Sequence, residues 1–529
     1  MTTGIILVSA VILLCIPANK FSKKFGMPVL ILFMFMGMLF GSDGILKIPF
    51  DDFNAAQDVC SIALIFIMYY GGFNTKWEPA KSVAGKAVLL STLGVIITAG
   101  ITGLLCRWIL GFSWIESFLA GAVLSSTDAA SVFSILRQKK LNMKDGTASL
   151  LELESGSNDP MSYMLTAIAM GVLTAGTMEN VLLRIFTQMF FGVTVGVLFA
   201  VVCVWILTKA RLVADGLDTI FLIAMVLLCY AISDVTGGNQ YLSVYLMGII
   251  IGNNKIKNKA GIIAFFDGVT SLAQILIFFL LGLLAFPHEM PQIILPALAI
   301  AVSLTLVARP VAVFALLLPF KCSIKQCTLI SWAGLRGAAS SVFAIMVIAS
   351  GADVSYDLFH IVFTVSLFSV AIQGTLLPWV AKKLDMVDEG ADVRKTFNDY
   401  TEDSAMTLMR MYIPKGHNWE NRKISEVNMP TGSLALMIKR NGESLITRGE
   451  TVVLADDTVI LSVPSYEPSA QEQLEEIHIS KTHPWCGKRI AQLNLPPDEL
   501  IAMVIRGEET IIPDGKTVIQ ENDIVVTYK

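Results

Sequence analysis

The sequence predicts a polytopic α-helical membrane protein of about 13 transmembrane helices, with inverted repeats and broken helices, followed by small α+β cytoplasmic domains. Three observations lead there. The 529 residues are 54% hydrophobic and only 16% charged, with mean hydropathy +0.66, which is membrane composition. Charge is unevenly divided: residues 385–529 hold 15 Lys+Arg against 24 Asp+Glu, a net −9, while residues 1–384 are net +5. Before residue 384, apolar runs of spanning length, about 20 residues, recur thirteen times, at roughly 3–19, 27–43, 57–75, 84–106, 115–137, 148–174, 182–208, 217–234, 240–252, 262–286, 293–319, 327–350 and 357–381.

The first run follows an uncharged start and precedes no small-residue cleavage site, so it reads as a retained helix and not as a signal peptide. The loops after spans 1, 3, 5, 7, 9 and 11 carry seventeen Lys+Arg; the other six carry three, Lys47, Arg107 and Arg184. Positive charge marks the cytoplasmic side, which puts the N-terminus outside and the C-terminal tail in the cytoplasm, with the protein in the inner (plasma) membrane. Span 5 is interrupted by Ser125-Ser126-Thr127-Asp128 and span 12 by Gly334-Leu335-Arg336-Gly337. Paired breaks of this kind, seven spans apart, predict two inverted halves meeting at a transport site near the midplane. The eight cysteines are scattered without C-x-x-C or histidine pairing; they read as packing residues, neither disulfides nor a metal site.

Residues 1–383 thus form a transmembrane domain and 384–405 a linker, and two repeated units follow at 406–466 and 473–529. Ile413 to Val463 aligns without a gap on Ile479 to Lys529, with Trp419/Trp485, Arg440/Arg506, Gly449/Gly515 and Asp457/Asp523 among the coincidences. Alternating runs at 434–438, 458–463 and 523–528 read as strands, and Asn441-Gly442 and Asp514-Gly515 as turns.

Chemistry concentrates in span 6, where Glu152 to Pro160 reads E-L-E-S-G-S-N-D-P. A carboxylate at membrane depth costs about 2.5–3.5 kcal/mol on insertion scales and needs a partner or a task. On a helix, Glu154 and Asn158 share one face and Ser155 and Asp159 another. Pro160 lacks an N–H, freeing the Gly156 carbonyl. Carboxylate, hydroxyl and carbonyl are hard oxygen donors that suit an alkali cation or a proton. In span 5, Thr127 and Asp128 open a second half-helix; Asp128 either caps it or ligates the ion, and the two roles can coexist. Glu154 reads as the counter-charge of a buried arginine, with Arg309 as its partner in a structural pair. Arg336 either neutralises the carbonyl ends of a broken helix or pairs with an acid.

E-S-G-S-N-D-P at 154–160, T-D-A at 127–129, R-P at 309–310 and G-L-R-G-A at 334–338 together resemble the cation/proton antiporter superfamily, and Asn158-Asp159 resembles its electroneutral Na+(K+)/H+ branch. The resemblance implies a thirteen-helix inverted-repeat fold, a homodimer and an elevator-like motion of the core helices. It also implies that Asp159 carries cation and proton alternately, assisted by Asn158, Ser155, Asp128 and Thr127. Tyr69-Tyr70-Gly71-Gly72 departs from the pattern, since relatives often carry an acid there. The tail units resemble tandem RCK C-terminal (TrkA-C-like) domains without the dinucleotide-binding half, because no G-x-G-x-x-G occurs in 385–529. That resemblance favours K+ over Na+ and implies a regulatory ligand at the tail, cyclic di-AMP or another nucleotide, with no other cofactor.

Rival classes fail on motifs: there is no P-loop for a pump, no H-E-x-x-H for a protease and no T-V-G-Y-G filter for an RCK-regulated K+ channel. A Na+-coupled solute symporter is the remaining alternative, separable by cation-driven proton flux without any organic solute. The acidic tail lacks a basic patch for nucleic acid. The expectation is a secondary active transporter and not an enzyme.

Overall fold

A computed structural model describes residues 9, 11–17, 28–139, 141–175, 181–210, 216–256, 258–388, 406–430, 433–440, 443–464, 474–481, 483–493, 495, 500–506, 509–511 and 513–528. Most of the first expected span, the basic residues Lys20, Lys23, Lys24, Lys140, Arg211 and Lys257, most of the linker and the Asn441-Gly442 turn lie outside these.

From residue 28 onward each expected span coincides with a helix or a pair of half-helices: α1 Val29–Phe40, α2 Phe53–Asn74, α3 Ala84–Leu110, the pair α4 Trp114–Val123 and α5 Ala129–Gln138, α6 Thr147–Ala175, α7 Val181–Ala210, α8 Asp218–Val235, α9 Gln240–Gly252, α10 Lys259–Leu283, α11 Met290–Phe320, the pair α12 Ile324–Trp332 and α13 Ala338–Ala349, and α14 Leu358–Lys383. Seven of these (α2, α3, α7, α8, α10, α11, α14) are long and apolar enough to cross a membrane by themselves. α6, at 29 residues, has the length but carries Glu152, Glu154 and Asp159. α7 and α8 leave Leu198, Val201, Ile220 and Leu228 exposed, as helices facing lipid do.

Without a hydrophobic force between helices in lipid, close approach through small residues drives association. A Cβ on Gly121 of α4 would stand 2.1 Å from the Ala99 carbonyl of α3, and one on Gly248 of α9 would stand 2.3 Å from the Tyr69 carbonyl of α2. Only glycine fits at either place. α3 and α11 each contain a π-helical turn, at Leu90–Gly94 and Leu304–Ala308, as do α7 at Ile206–Ala210 and α14 at Ser369–Gly374.

The tail forms two four-stranded antiparallel sheets, one in each unit. In the first, β1 Met406–Tyr412, β2 Leu434–Arg440, β3 Glu443–Ile446 and β4 Thr458–Pro464 lie in the order β1-β4-β2-β3; in the second, β5 Leu474–His478, β6 Leu500–Arg506, β7 Glu509–Ile511 and β8 Ile524–Tyr528 lie in the order β5-β8-β6-β7. The duplication extends to register: Leu434 pairs with Ser462 as Leu500 pairs with Tyr528, and a bulge falls at Ala435/Met437 and at Ile501/Met503. The expected α+β units prove β-rich. Their helical part among the described residues is one 3₁₀ turn each, Ile424–Glu426 and Ile490–Gln492; in the first connection Pro414, Gly416 and Pro430 bound the stretch in which an α-helix could form.

Each sheet is locked by one arginine on a buried aspartate. Arg440 donates from Nε and Nη2 to Asp457 at 2.8 and 2.7 Å, and Arg506 does the same to Asp523 at 2.8 and 2.8 Å. Burial pushes the Asp457 carboxyl up, but the Arg440 fork and the Leu454 N–H outweigh it and hold it below the ordinary range. A depressed folded pKa contributes stability that is present above the unfolded value, about 3.9, and is lost as pH falls through the folded value. Asp457→Asn should therefore destabilise the first unit by about 1.5–3 kcal/mol at pH 7. In thermal melts of the full chain the gap from wild type should narrow only below about pH 4.

Candidate functional site

The two half-helix pairs meet at their breaks. The Asp128 N–H donates to the Leu335 carbonyl at 2.8 Å, joining the non-helical stretches to each other. Asp128 caps α5, accepting from Ser131 N at 3.1 Å and Ser131 Oγ at 2.5 Å. Its carboxylate also abuts Gly337 at the start of α13, where a Cβ would stand 2.0 Å from Oδ2. One negative charge thus faces the positive ends of two half-helices. Arg336, 1% exposed, donates from Nη1 to the Ser125 and Ser126 carbonyls at 2.8 and 2.6 Å, at the negative end of α4. Of its two readings, this is neutralisation of carbonyl ends. At the Tyr69-Tyr70 position, Tyr70 Oη donates to Asp267 of α10 at 3.2 Å.

α6 passes beside this crossing. Glu154, fully buried, accepts both Nη atoms of Arg309 at 3.0 and 2.9 Å. The π-helical turn Leu304–Ala308 ends on Arg309 and shifts the helix face that Arg309 presents relative to an uninterrupted α-helix. Glu154 Oε1 also accepts Asn158 Nδ2 at 3.0 Å, and that nitrogen donates to Thr127 Oγ1 at 2.5 Å while the Thr127 N–H donates to Asn158 Oδ1 at 3.3 Å. Ser155 Oγ donates to the Thr127 carbonyl at 2.6 Å. Asp159, 9% exposed, accepts the hydroxyl of Ser126. Among the described residues no lysine or arginine lies within ion-pair distance of it.

The structure therefore brings Asp159, Asn158, Ser155, Thr127, Asp128, Glu154, Arg309 and Arg336 into one crossing. It adds Ser126, which the sequence reading assigned only to the break. Ser340 Oγ reaches the same Ser126 carbonyl at 3.4 Å. A buried carboxylate with a hydroxyl partner, flanked by oxygen donors and, among the described residues, beyond ion-pair distance of any lysine or arginine, has the donor chemistry to hold a proton or a monovalent cation. Away from the crossing, Glu289, Asp357 and His360 gather their ligand atoms within 4.8 Å. His360 Nε2 accepts the Phe286 N–H at 2.9 Å, so its proton sits on Nδ1 against Asp357 and no imidazole lone pair faces the cluster.

Paired broken helices around an unpaired intramembrane carboxylate define a secondary transporter of the cation/proton antiporter class. The chain belongs to the family described as sodium/hydrogen exchanger, transmembrane, whose family model matches residues 9–383, and the TrkA-C domain model matches 408–466 and 474–526. It is 34% identical over 462 residues to the K(+)/H(+) antiporter NhaP of Alkalimonas amylolytica, covering 86% of this chain and 80% of that one. It is also 34% identical over 460 residues to the K(+)/H(+) antiporter NhaP2 of Shewanella baltica, covering 86% and 79%. In fold it resembles the solved sodium proton antiporter MjNhaP1 of Methanocaldococcus jannaschii, with TM-score 0.64, 23% identity, 72% of this chain covered and 99% of that chain.

Removing one partner of a buried bidentate pair strands the other, at a cost of about 3–5 kcal/mol. Glu154→Gln and Arg309→Gln should each lower stability on that scale, and the double variant should recover part of the loss. Melting temperatures of the four proteins in one detergent measure the coupling, and simple additivity would disprove the pair's energetic role.

Proposed function

We propose that the protein exchanges a monovalent cation, K+ in preference to Na+, for protons across the plasma membrane, one for one, with Asp159 as the shared carrier. The observation that supports it most directly is the unpaired, oxygen-flanked Asp159 beside Glu154, which already has its arginine. Asn158 beside a single exchangeable acid supports electroneutrality, since each turnover then moves one charge in each direction. The potassium named in the relatives and the TrkA-C tail favour K+. In this reading Asn158, Ser155, Thr127 and Asp128 shape the cation site, the N-terminus lies outside, the tail lies in the cytoplasm, and two copies associate.

Proteoliposomes carrying a pH-sensitive dye test this. K+ and Na+ added in turn should dissipate a proton gradient, Asp159→Asn should abolish the response, and a potential set with valinomycin should not change it. Near-normal exchange by folded Asp159→Asn protein would remove Asp159 from the mechanism.

The tail regulates in this reading and does not transport. The described transport acids all lie before residue 384, and a ligand such as cyclic di-AMP shifts the carrier only by its differential affinity for two states. A chain ending at Lys383 should keep exchange with altered pH or cation dependence; a well-folded truncation that transports nothing at any pH would refute this.

A further inference from the structure

α9, which supplies none of the residues of the crossing, reaches the carrier segment of α6 with a polar side chain at its first turn. Asn239 caps α9, accepting the Leu242 N–H on Oδ1 at 3.0 Å. Its other side-chain atom, Nδ2, donates to the carbonyl of Pro160 at 2.7 Å, one residue beyond Asp159. The amide cannot be flipped without losing both bonds: a backbone N–H demands the oxygen on one side, and a carbonyl demands the N–H on the other. Asn239 is 1% exposed, and it stands on a stiff platform. Its own N–H donates to the Gln188 carbonyl at 2.9 Å. Gly192 of α7 lies so close that a Cβ there would sit 3.0 Å from the Asn239 carbonyl oxygen, and Ser243 Oγ bonds that oxygen at 3.0 Å and the Gly192 carbonyl at 2.9 Å.

The next two residues continue the contact. Gln240 Nε2 donates to Tyr163 Oη at 2.7 Å, one helical turn past Asp159, and the Tyr241 ring meets the Tyr163 ring edge-on with centroids 5.0 Å apart. Three consecutive residues thus hold the turn of α6 that follows the carrier acid, from Pro160 to Tyr163. Pro160 makes this segment the weak place of the helix, because the Gly156 carbonyl has lost its partner. The Asn239 amide does not replace that bond; by holding the Pro160 carbonyl it fixes the turn that follows the proline from outside the helix.

We infer that Asn239, seconded by Gln240, is a positioning residue for cation binding: it holds the Asp159–Pro160 turn in register with Ser126 and Thr127 and touches neither cation nor proton. The inference rests on the reading of Asp159 as the carrier. Loss of one ordinary hydrogen bond is worth roughly fivefold in an equilibrium, so the affected quantity is apparent cation affinity and not maximal rate. A merely structural lesion would do the opposite, lowering the amount of working carrier and leaving KM alone.

Two substitutions preserve the cap, since Ser and Asp both accept there. Asn239→Ser is too short to reach Pro160, and should raise the cation KM about fivefold with maximal rate little changed. Asn239→Asp donates to the carbonyl only while protonated. It should match wild type on the acid side and lose affinity as pH rises, through an ionisation that wild type lacks. Tyr163→Phe keeps volume, removes the Gln240 bond and should raise KM less. Affinity is read both from proteoliposome exchange and from the K+-dependent rise in melting temperature. Unchanged affinity in Asn239→Asp at every pH and in Tyr163→Phe overturns the inference even if Asn239→Ser fails to fold. Wild-type protein that neither exchanges nor is stabilised by K+ or Na+ overturns the carrier reading and this inference with it; wild-type exchange with unchanged variants overturns this inference alone.

Discussion

Two stretches of non-helical backbone meet inside the membrane domain, and in lipid every N–H and C=O there must be satisfied by protein or by enclosed water. The rest of the site is arranged around that requirement. Asp128 N bonds Leu335 O, Arg336 N bonds Ser369 Oγ, Thr127 N bonds the Asn158 amide, and the Ser125, Ser126 and Thr127 carbonyls take Arg336 and Ser155. Two of the residues that do this are charged, and each sits at the helix ends that its sign favours. Such placements are worth about 0.3–1 kcal/mol when exposed and up to about 2 kcal/mol when partly buried. An acid and an arginine at the crossing are therefore structural necessities before they are anything else.

The Glu154–Arg309 pair extends the same logic to α6. Burying both charges gains little net energy, because desolvation offsets most of the attraction. What the pair supplies is orientation. Arg309 fixes the Glu154 carboxylate, Glu154 accepts Asn158 Nδ2, and the amide so oriented turns Oδ1 to the Thr127 N–H. A guanidinium on α11 thereby fixes which way round an amide on α6 meets Thr127 in the break between α4 and α5, with Oδ1 on its N–H and Nδ2 on its hydroxyl. Gly334 makes room for it: a Cβ there would stand 2.9 Å from Arg309 Nε.

What could be read from the sequence was whatever a membrane forbids. Glu154, Asp159, Arg309 and Arg336 stand out because ionisable residues in apolar runs are expensive, and the breaks stand out because glycine and polar residues interrupt them. The tail's duplication was visible at a constant offset, and the Arg440/Arg506 and Asp457/Asp523 coincidences mark the fork that locks each sheet. Ser126, the π-helical turns and Asn239 were not legible. A serine in a polar break looks like its neighbours until the crossing angle aims one hydroxyl at Asp159. A π-helical turn leaves no compositional mark in Leu304–Ala308, and Asn239 meets Pro160 across 79 residues of chain. The choice between the two readings of Arg336 likewise depends on where the end of α4 falls, which periodicity does not fix.

The proposal of Asp159 as carrier rests on subtraction among the acids of this crossing. Glu154 is bound by an arginine at both oxygens, so protonating it would strand a buried guanidinium. Asp128 is engaged as the cap of α5 and lies against the start of α13, so removing its charge would expose two helix ends. Asp159 accepts from a neutral hydroxyl, which can turn to face a carboxylate, a carboxylic acid or a carboxylate with its cation. Of the three acids it is the one that, among the described residues, is bonded neither to a guanidinium nor to a backbone N–H at a helix start. On the proposed function a transport site needs one group whose protonation state is free and several whose states are fixed, and the bonded charges of Glu154, Arg309 and Asp128 leave that part to Asp159.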